Sequence, residues 1–162
     1  VFIEGRDTVL MKDRYKAKMR REKFSFIFQD YALIPHLSAI ENVQIPLKLT
    51  GLSKELGDRL QGILDDVGIG EYRTHKPALL SGGQMQRLGI ARALANNPKI
   101  LFADEPTGDL DRETGTTVME LLKKYHEETG MTIVLVTHDE EVAKYATREI
   151  FLVDGRIIES LN

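Results

Sequence analysis

The final third of this chain holds two uninterrupted apolar runs, Ile100-Leu101-Phe102-Ala103 and Ile133-Val134-Leu135-Val136, with one amphipathic helix pattern between them. Val118, Leu121, Leu122 and Tyr125 stand at i, i+3, i+4 and i+7, and the pattern stops at Gly130. Short apolar runs without polar alternation suit strands covered on both faces. A strand, a crossover helix and a second such strand close as a parallel pair with a right-handed crossover. The expected fold is therefore α/β with a parallel sheet core, and the rest of the chain must fit around that unit.

Both runs end in groups able to handle a charged ligand, and in open α/β sheets ligands bind outside the carboxyl ends of the strands. Asp104 is placed to hold magnesium through a water, and Glu105, one residue on, to polarise a water that attacks a terminal phosphoryl group. Taken alone the two acids could equally be capping residues. His138 follows the second run, and a lone histidine there is usually structural. Two neighbouring strands that each end in a phosphate-capable group are harder to set aside, because an imidazole can donate to a γ-phosphate. Gln29 follows a third strand-like run, Phe24-Ser25-Phe26-Ile27-Phe28, and would complete the set as a magnesium or water ligand. In isolation it reads as a surface loop residue.

Upstream of the first run, Leu80-Ser81-Gly82-Gly83-Gln84 opens a helix expected over 84–96 and closed by Asn96-Asn97-Pro98. Ser81 suits the N-cap and its hydroxyl can reach a phosphate oxygen. Gly82 and Gly83 let backbone approach without a Cβ, and the helix start offers bare N–H groups and a positive dipole end. A plain glycine turn before an amphipathic helix fits these residues equally well. After the carboxylates comes an acid-rich turn, Pro106-Thr107-Gly108-Asp109-Leu110-Asp111, whose last residue suits the cap of the next helix.

In the first third, two short apolar stretches flank Gly5-Arg6-Asp7 as a hairpin, and Lys12 to Lys23 is a basic helical stretch best read as a solvated face. Ser38-Ala39-Ile40-Glu41 is a capping box that starts a helix which Pro46 should bend or end. Another helix should start near Ser53, carry Leu56, Leu60, Ile63, Leu64 and Val67 on one stripe, and stop at Gly68, making the middle third all helix. Ile150 to Val153, Asp154-Gly155 and Arg156 to Ile158 read as a closing hairpin. His36, His75 and His126 have no ligand-like spacing and are taken as surface residues, while Met85 and Tyr125 fall on core stripes.

Composition narrows the function classes. A formal net charge of −3 offers no basic footprint for nucleic acid, so nucleic-acid partners are disfavoured. The longest apolar runs are strand-sized, too short to cross a membrane. The absence of cysteine excludes a disulfide framework, and with no leading signal pattern it suits a cytosolic location. Val1-Phe2-Ile3 reads as a strand from its first residue with no initiator methionine, as if the chain began inside a larger protein.

Taken in order, Gln29, L-S-G-G-Q at 80–84, I-L-F-A-D-E-P at 100–106, D-L-D at 109–111 and T-H-D at 137–139 resemble the ATP-binding subunits of ABC transporters. The resemblance covers essentially the whole chain. Residues 29–35 with 103–108 look most like the branch serving lipoprotein release and macrolide export. By this resemblance Gln29 is the Q-loop glutamine, Ser81 to Gln84 the signature that binds a neighbour's nucleotide, and Asp104 the Walker B magnesium residue. Glu105 is then the general base, Asp109, Leu110 and Asp111 the D-loop, and His138 the switch histidine. The implied fold is a P-loop NTPase-type α/β domain, with sheet at 1–30, a helical subdomain at 31–97 and the Walker B, D-loop and switch core at 98–162. Implied cofactors are ATP and Mg2+. Implied partners are a transmembrane permease and a second ATP-binding subunit facing head to tail, at the inner face of the cell membrane.

One departure is large. The phosphate-binding string G-x-x-x-x-G-K-[ST] occurs nowhere in the chain. Without its backbone cradle and lysine the chain should bind ATP poorly in its own site, and part of the sheet should lie uncovered and prone to association. The alternative is a degenerate, non-catalytic partner that lends its signature to another subunit. An ABC-type ATPase of DNA maintenance is disfavoured by the acidic balance and the lack of sustained heptads. Asp109 is a second departure, standing where the family often has a neutral residue.

Overall fold

The computed structural model describes residues 1–3, 5–51 and 57–158. The chain opens with a hairpin, β1 (Phe2–Ile3) and β2 (Arg6–Asp7), then the basic helix α1 (Asp13–Lys23), which buries no residue, and β3 (Phe24–Ile27). Helices α2 (Ala39–Thr50), α3 (Gly57–Asp66) and α4 (Gly82–Leu94) follow. Then come β4 (Ile100–Asp104), α5 (Arg112–Thr129), β5 (Thr132–Val136), the short α6 (Glu140–Ala143) and the hairpin β6 (Phe151–Val153) with β7 (Arg156–Ile158). In that last turn Asp154 and Gly155 both have positive φ, 49° and 73°, the backbone a two-residue hairpin needs to match strand twist.

The parallel unit forms as expected and gains a third member. β4 lies between β3 and β5, all parallel, with Phe26 opposite Phe102 and Asp104 opposite Val136. Side chains alternate between the two faces. Ser25, Ile27, Leu101 and Ala103 point into the core. The other face carries Phe24, Phe26 and Phe102, with Phe26 stacked on Phe102 at 5.1 Å between ring centroids and on Phe28 at 5.7 Å. Phe28, Val134 and Val136 share that open side, and Val136 is 59% exposed. The reading of 133–136 as a buried strand is thus corrected. Among the described residues β5 has β4 as its one strand neighbour and is covered on one face only, which is the uncovered sheet expected where the G-x-x-x-x-G-K-[ST] segment is absent.

The core is one cluster. Ala39, Val43 and Leu47 of α2 meet Leu60, Ile63 and Leu64 of α3 and the inner face of α4, while α5 adds Val118, Met119 and Leu122. Each fully buried Leu or Ile contributes about 1.5–3 kcal/mol, and this drives the helices together more than their propensity does. Burial also explains why α2 runs through Pro46 to Thr50 instead of ending there. Val43 and Leu47 anchor the turns on either side of the missing N–H. The stripe Leu60, Ile63, Leu64 and Val67 is buried as expected, while Ser53 and Leu56 lie outside the described residues. The middle third is less purely helical than its pattern implied. Residues 28–38 form a loop in which Tyr31 and Ala32 take left-handed φ of 61° and 47°, and Gly70–Tyr72 and Pro77–Leu79 form single 3-10 turns. Met85 and Tyr125 pack against the core. His75, read as a surface residue, is half-buried against the Tyr72 ring.

Candidate functional site

Register brings the predicted groups to one edge of the sheet. Because β3, β4 and β5 are parallel and adjacent, their carboxyl ends deliver Gln29, Asp104-Glu105 and Thr137-His138 side by side. Glu105 leaves the strand with a φ of 45°, a conformation uncommon outside glycine and frequent at functional sites. Its N–H still donates to the Val136 carbonyl at 3.0 Å, so the β4–β5 ladder extends one residue past the strand and fixes where the side chain starts.

The Glu105 carboxylate accepts three hydrogen bonds from the adjoining strand end: from Thr137 Oγ1 at 3.1 Å, from the His138 backbone N–H at 3.0 Å, and from His138 Nδ1 at 2.7 Å. Glu105 is largely shielded while the His138 ring is 88% exposed, so the imidazole stands over the carboxylate toward solvent. The hydrogen bond and the negative charge of Glu105 raise the His138 pKa above its ordinary value, because both favour the imidazolium. A carboxylate held at fixed geometry beside an imidazole whose protonated form it favours has the parts for moving a proton to or from a bound water.

Asp104 is exposed, and among the described interactions none engages its carboxylate. Gln29 is exposed on the neighbouring strand end, with no hydrogen bond to Asp104 or Glu105. The described residues hold no group of three acidic, histidine or cysteine ligands. One free carboxylate with an amide beside it is the donor set expected for Mg2+, which keeps several waters and shares substrate phosphates instead of sitting in an all-protein cage. The residues fit that ion.

The glycine turn lies against the acid-rich turn of the same chain. Ser81 caps α4, its Oγ accepting from Gln84 N–H at 3.3 Å, while Gln84 Oε1 accepts from Ser81 N–H at 2.8 Å. The N–H groups of Gly82 and Gly83 have no partner among the described interactions, so the anion-attracting end of α4 is open. Both glycines also stand close against neighbouring side chains, which the sequence did not disclose. A Cβ on Gly82 would stand 3.3 Å from the Tyr31 hydroxyl, and one on Gly83 3.3 Å from Leu110 Cδ2. Asp111 caps α5 as expected, accepting from Thr114 N–H at 3.0 Å and Thr114 Oγ1 at 2.6 Å, and these bonds hold its carboxyl below the usual range.

Four further residues shape the site and escaped the sequence reading. Gln86, buried, donates to the Pro106 carbonyl at 2.8 Å and ties α4 to the turn after Glu105. It lies four residues before Ile90 and seven before Ala93 on the buried stripe, so a polar residue on an apolar face was the available signal. Asn42, also buried, knits the 34–38 loop through its side-chain amide. Tyr31 donates to Asp109 Oδ2 at 2.6 Å. Arg92 donates to the carbonyls of Tyr31, at 2.8 Å, and Ala32. The last two contacts span loops far apart in the chain, and no local pattern marks them.

Residues 2–108 match the ABC transporter family. Over 163 residues the chain is 48% identical to an ABC transporter ATP-binding protein of Methanocaldococcus jannaschii, MJ1508, covering 100% of this chain and 72% of that protein. It is 48% identical over 158 residues to the macrolide export ATP-binding/permease protein MacB of Shewanella oneidensis, covering 97% of this chain and 24% of MacB. The solved post-hydrolysis dimer of the ATP-binding cassette MJ0796, bound to ADP and Pi, aligns with a TM-score of 0.88 at 45% identity, over 96% of this chain and 69% of that one. Its fold is thus that of an ABC ATPase cassette, although the chain spans under three quarters of those ATP-binding proteins and about a quarter of MacB. The chain belongs to the ABC transporter family, as an ATP-binding domain of the type found in the macrolide exporters.

Proposed function

We propose that this chain is the ATP-hydrolysing part of a subunit that drives export or lipoprotein release through a membrane permease, and that by itself it binds ATP weakly because G-x-x-x-x-G-K-[ST] does not occur in it. The observation that carries this reading is the Glu105–His138 pair, 2.7 Å apart at the carboxyl edge of the sheet, beside an uncommitted Asp104. Glu105 accepts a proton from water as its oxygen attacks the γ-phosphorus, the bond to the β–γ bridging oxygen breaks, and ADP departs with that electron pair. His138 donates to the γ-phosphate oxygens. Asp104 and Gln29 would hold Mg2+, which when bound supplies neutralising charge at the phosphates.

The open N-terminus of α4 faces away from these strand ends in function. Ser81, Gly82, Gly83 and Gln84 close on nucleotide held by a second copy arranged head to tail, with Asp109, Leu110 and Asp111 at the seam. The permease engages the region after Gln29, where Phe28, Ile34, Ile45 and Leu49 line an apolar groove of about 470 Å³ with Arg20 and Arg21 on its margin. Closure is passed to the permease through that region. No helix among the described residues is long and apolar enough to cross a membrane, and the subunit is proposed to sit peripherally on the inner face of the membrane.

The alternative reading is a degenerate, non-catalytic partner that lends the signature at Ser81 to Gln84 to another subunit's nucleotide. Phosphate release from ATP by the full protein, with and without magnesium, separates the two. Magnesium-dependent release supports the hydrolase. No release, together with stimulation of a related ATPase on titration, overturns it in favour of the lending partner.

A further inference from the structure

Tyr31 joins three parts of the molecule that are far apart in sequence. Its hydroxyl donates to Asp109 Oδ2 at 2.6 Å, across 78 residues. The same hydroxyl occupies the space that a side chain on Gly82 would fill, at 3.3 Å, and the Tyr31 carbonyl lies 3.6 Å from the Cβ position of Gly89. The backbone there is held in an unfavourable form. Tyr31 and Ala32 are consecutive non-glycine residues at φ 61° and 47°, each costing roughly 1–2 kcal/mol relative to the right-handed region. Arg92, from the far end of α4, donates to both carbonyls and so holds the conformation. Strained backbone of this kind persists only where its surroundings over-determine it.

These contacts have a direction. Residues 29 and 30 form the turn that leads from β3 into Tyr31, and Asp109 stands four residues after Glu105, in the turn that Gln86 clamps through Pro106. We propose that Tyr31 is a positioning residue: its hydroxyl bond to Asp109 latches the Gln29 segment to the turn following Glu105, so that both move as one body with the start of α4. This accounts for the charged residue at 109. A carboxylate accepts the phenol strongly, and a short neutral apolar residue there would leave the hydroxyl without its acceptor. The inference rests on the proposed hydrolysis only for its kinetic consequence.

The test has two arms. In hydrogen exchange on the nucleotide-free protein, Tyr31→Phe should raise exchange at amides 105–110 and Asp109→Ala should raise it at 29–33. Asp109→Asn, which keeps an acceptor oxygen, should restore the unmodified pattern. Phe preserves the ring volume, and a thermal melt checks that each variant folds. In ATP turnover, Tyr31→Phe should lower kcat by about 5–10-fold with KM within about twofold, because a lost positioning contact costs alignment and leaves ground-state binding alone. In hydrogen exchange, adding Asp109→Ala to Tyr31→Phe should lower protection in neither segment beyond the larger single-variant effect. Exchange changes confined to the mutated segment, or additive losses in the double variant, overturn the latch. If the unmodified protein does not hydrolyse ATP, the functional reading falls, and the exchange arm alone decides the latch.

Discussion

Asn42→Ala should destabilise the domain out of proportion to the few atoms removed. The Asn42 side chain, fully buried, accepts from Ile34 N–H at 2.8 Å and donates to the carbonyls of Ile34, Leu37 and Ser38 at 3.2, 3.1 and 3.0 Å. The loss is smaller than four bonds. The Ile34 carbonyl keeps the Leu37 N–H and the Ser38 carbonyl keeps the Asn42 N–H, so alanine orphans two groups, the Ile34 N–H and the Leu37 C=O. At about 1–3 kcal/mol per orphaned group, with water relieving part of the loss because Ile34 is exposed and Leu37 half-buried, the cost is about 2–4 kcal/mol. For a domain of this size that lowers Tm by about 5–15 °C. Urea denaturation followed by circular dichroism should show a lower midpoint at unchanged slope. Asn42→Asp should be worse, since it turns the three donor contacts into a buried carboxylate facing carbonyls, and its deficit should grow as pH rises and the acid ionises. A loss under about 0.5 kcal/mol for Asn42→Ala would refute the assignment of this side chain as the organiser of the loop after Gln29.

Other outcomes follow from the same geometry. Gln86→Leu should cost about 1–3 kcal/mol in denaturant, because it leaves the buried Pro106 carbonyl without its donor at nearly constant volume. Gly83→Val should cost about 1–3 kcal/mol, by melting temperature, since the added methyls would meet Leu110, whereas Gly83→Ala asks Leu110 to yield only a few tenths of an ångström. The His138 pKa is raised in the folded state, so its pairing with Glu105 stabilises fully below about pH 6.5 and that stabilisation is lost as pH climbs through the raised value. The stability difference between the unmodified protein and His138→Ala should therefore shrink toward alkaline pH. A difference that stays flat contradicts the pairing.

Local chemistry made much of this protein legible. The crossover unit, the closing hairpin, the caps at Ser81 and Asp111 and the stop at Gly130 follow from periods and termini that operate within a few residues, and the structure places them as the sequence implies, whereas in the opening hairpin Arg6–Asp7, read as part of the turn, form the second strand. Gln29, Asp104, Glu105 and His138 were legible as candidates because each directly follows an apolar run. What stayed hidden depends on pairing across the chain. The Glu105 N–H bond to the Val136 carbonyl draws this residue to the β5 side, where it meets His138 rather than Gln29, and nothing within either strand foretells that choice. The run through Pro46 shows tertiary burial overriding a local stop signal. Asn42 and the Tyr31–Asp109 bond are single polar contacts with no period of their own, so only the fold shows them, while Gln86 was marked just by being polar on a buried stripe.

The central claim is that Glu105 is the base of an ATP-hydrolysing site. Glu105→Gln preserves the size of the side chain and its ability to accept from Thr137 and the His138 backbone, but an amide cannot take the proton of the attacking water. Its turnover and nucleotide affinity, measured together on the full protein, are the most direct test. The account predicts a fall in kcat of at least about 100-fold with the dissociation constant for ATP within about threefold of the unmodified protein. Hydrolysis retained at near the unmodified rate would contradict it.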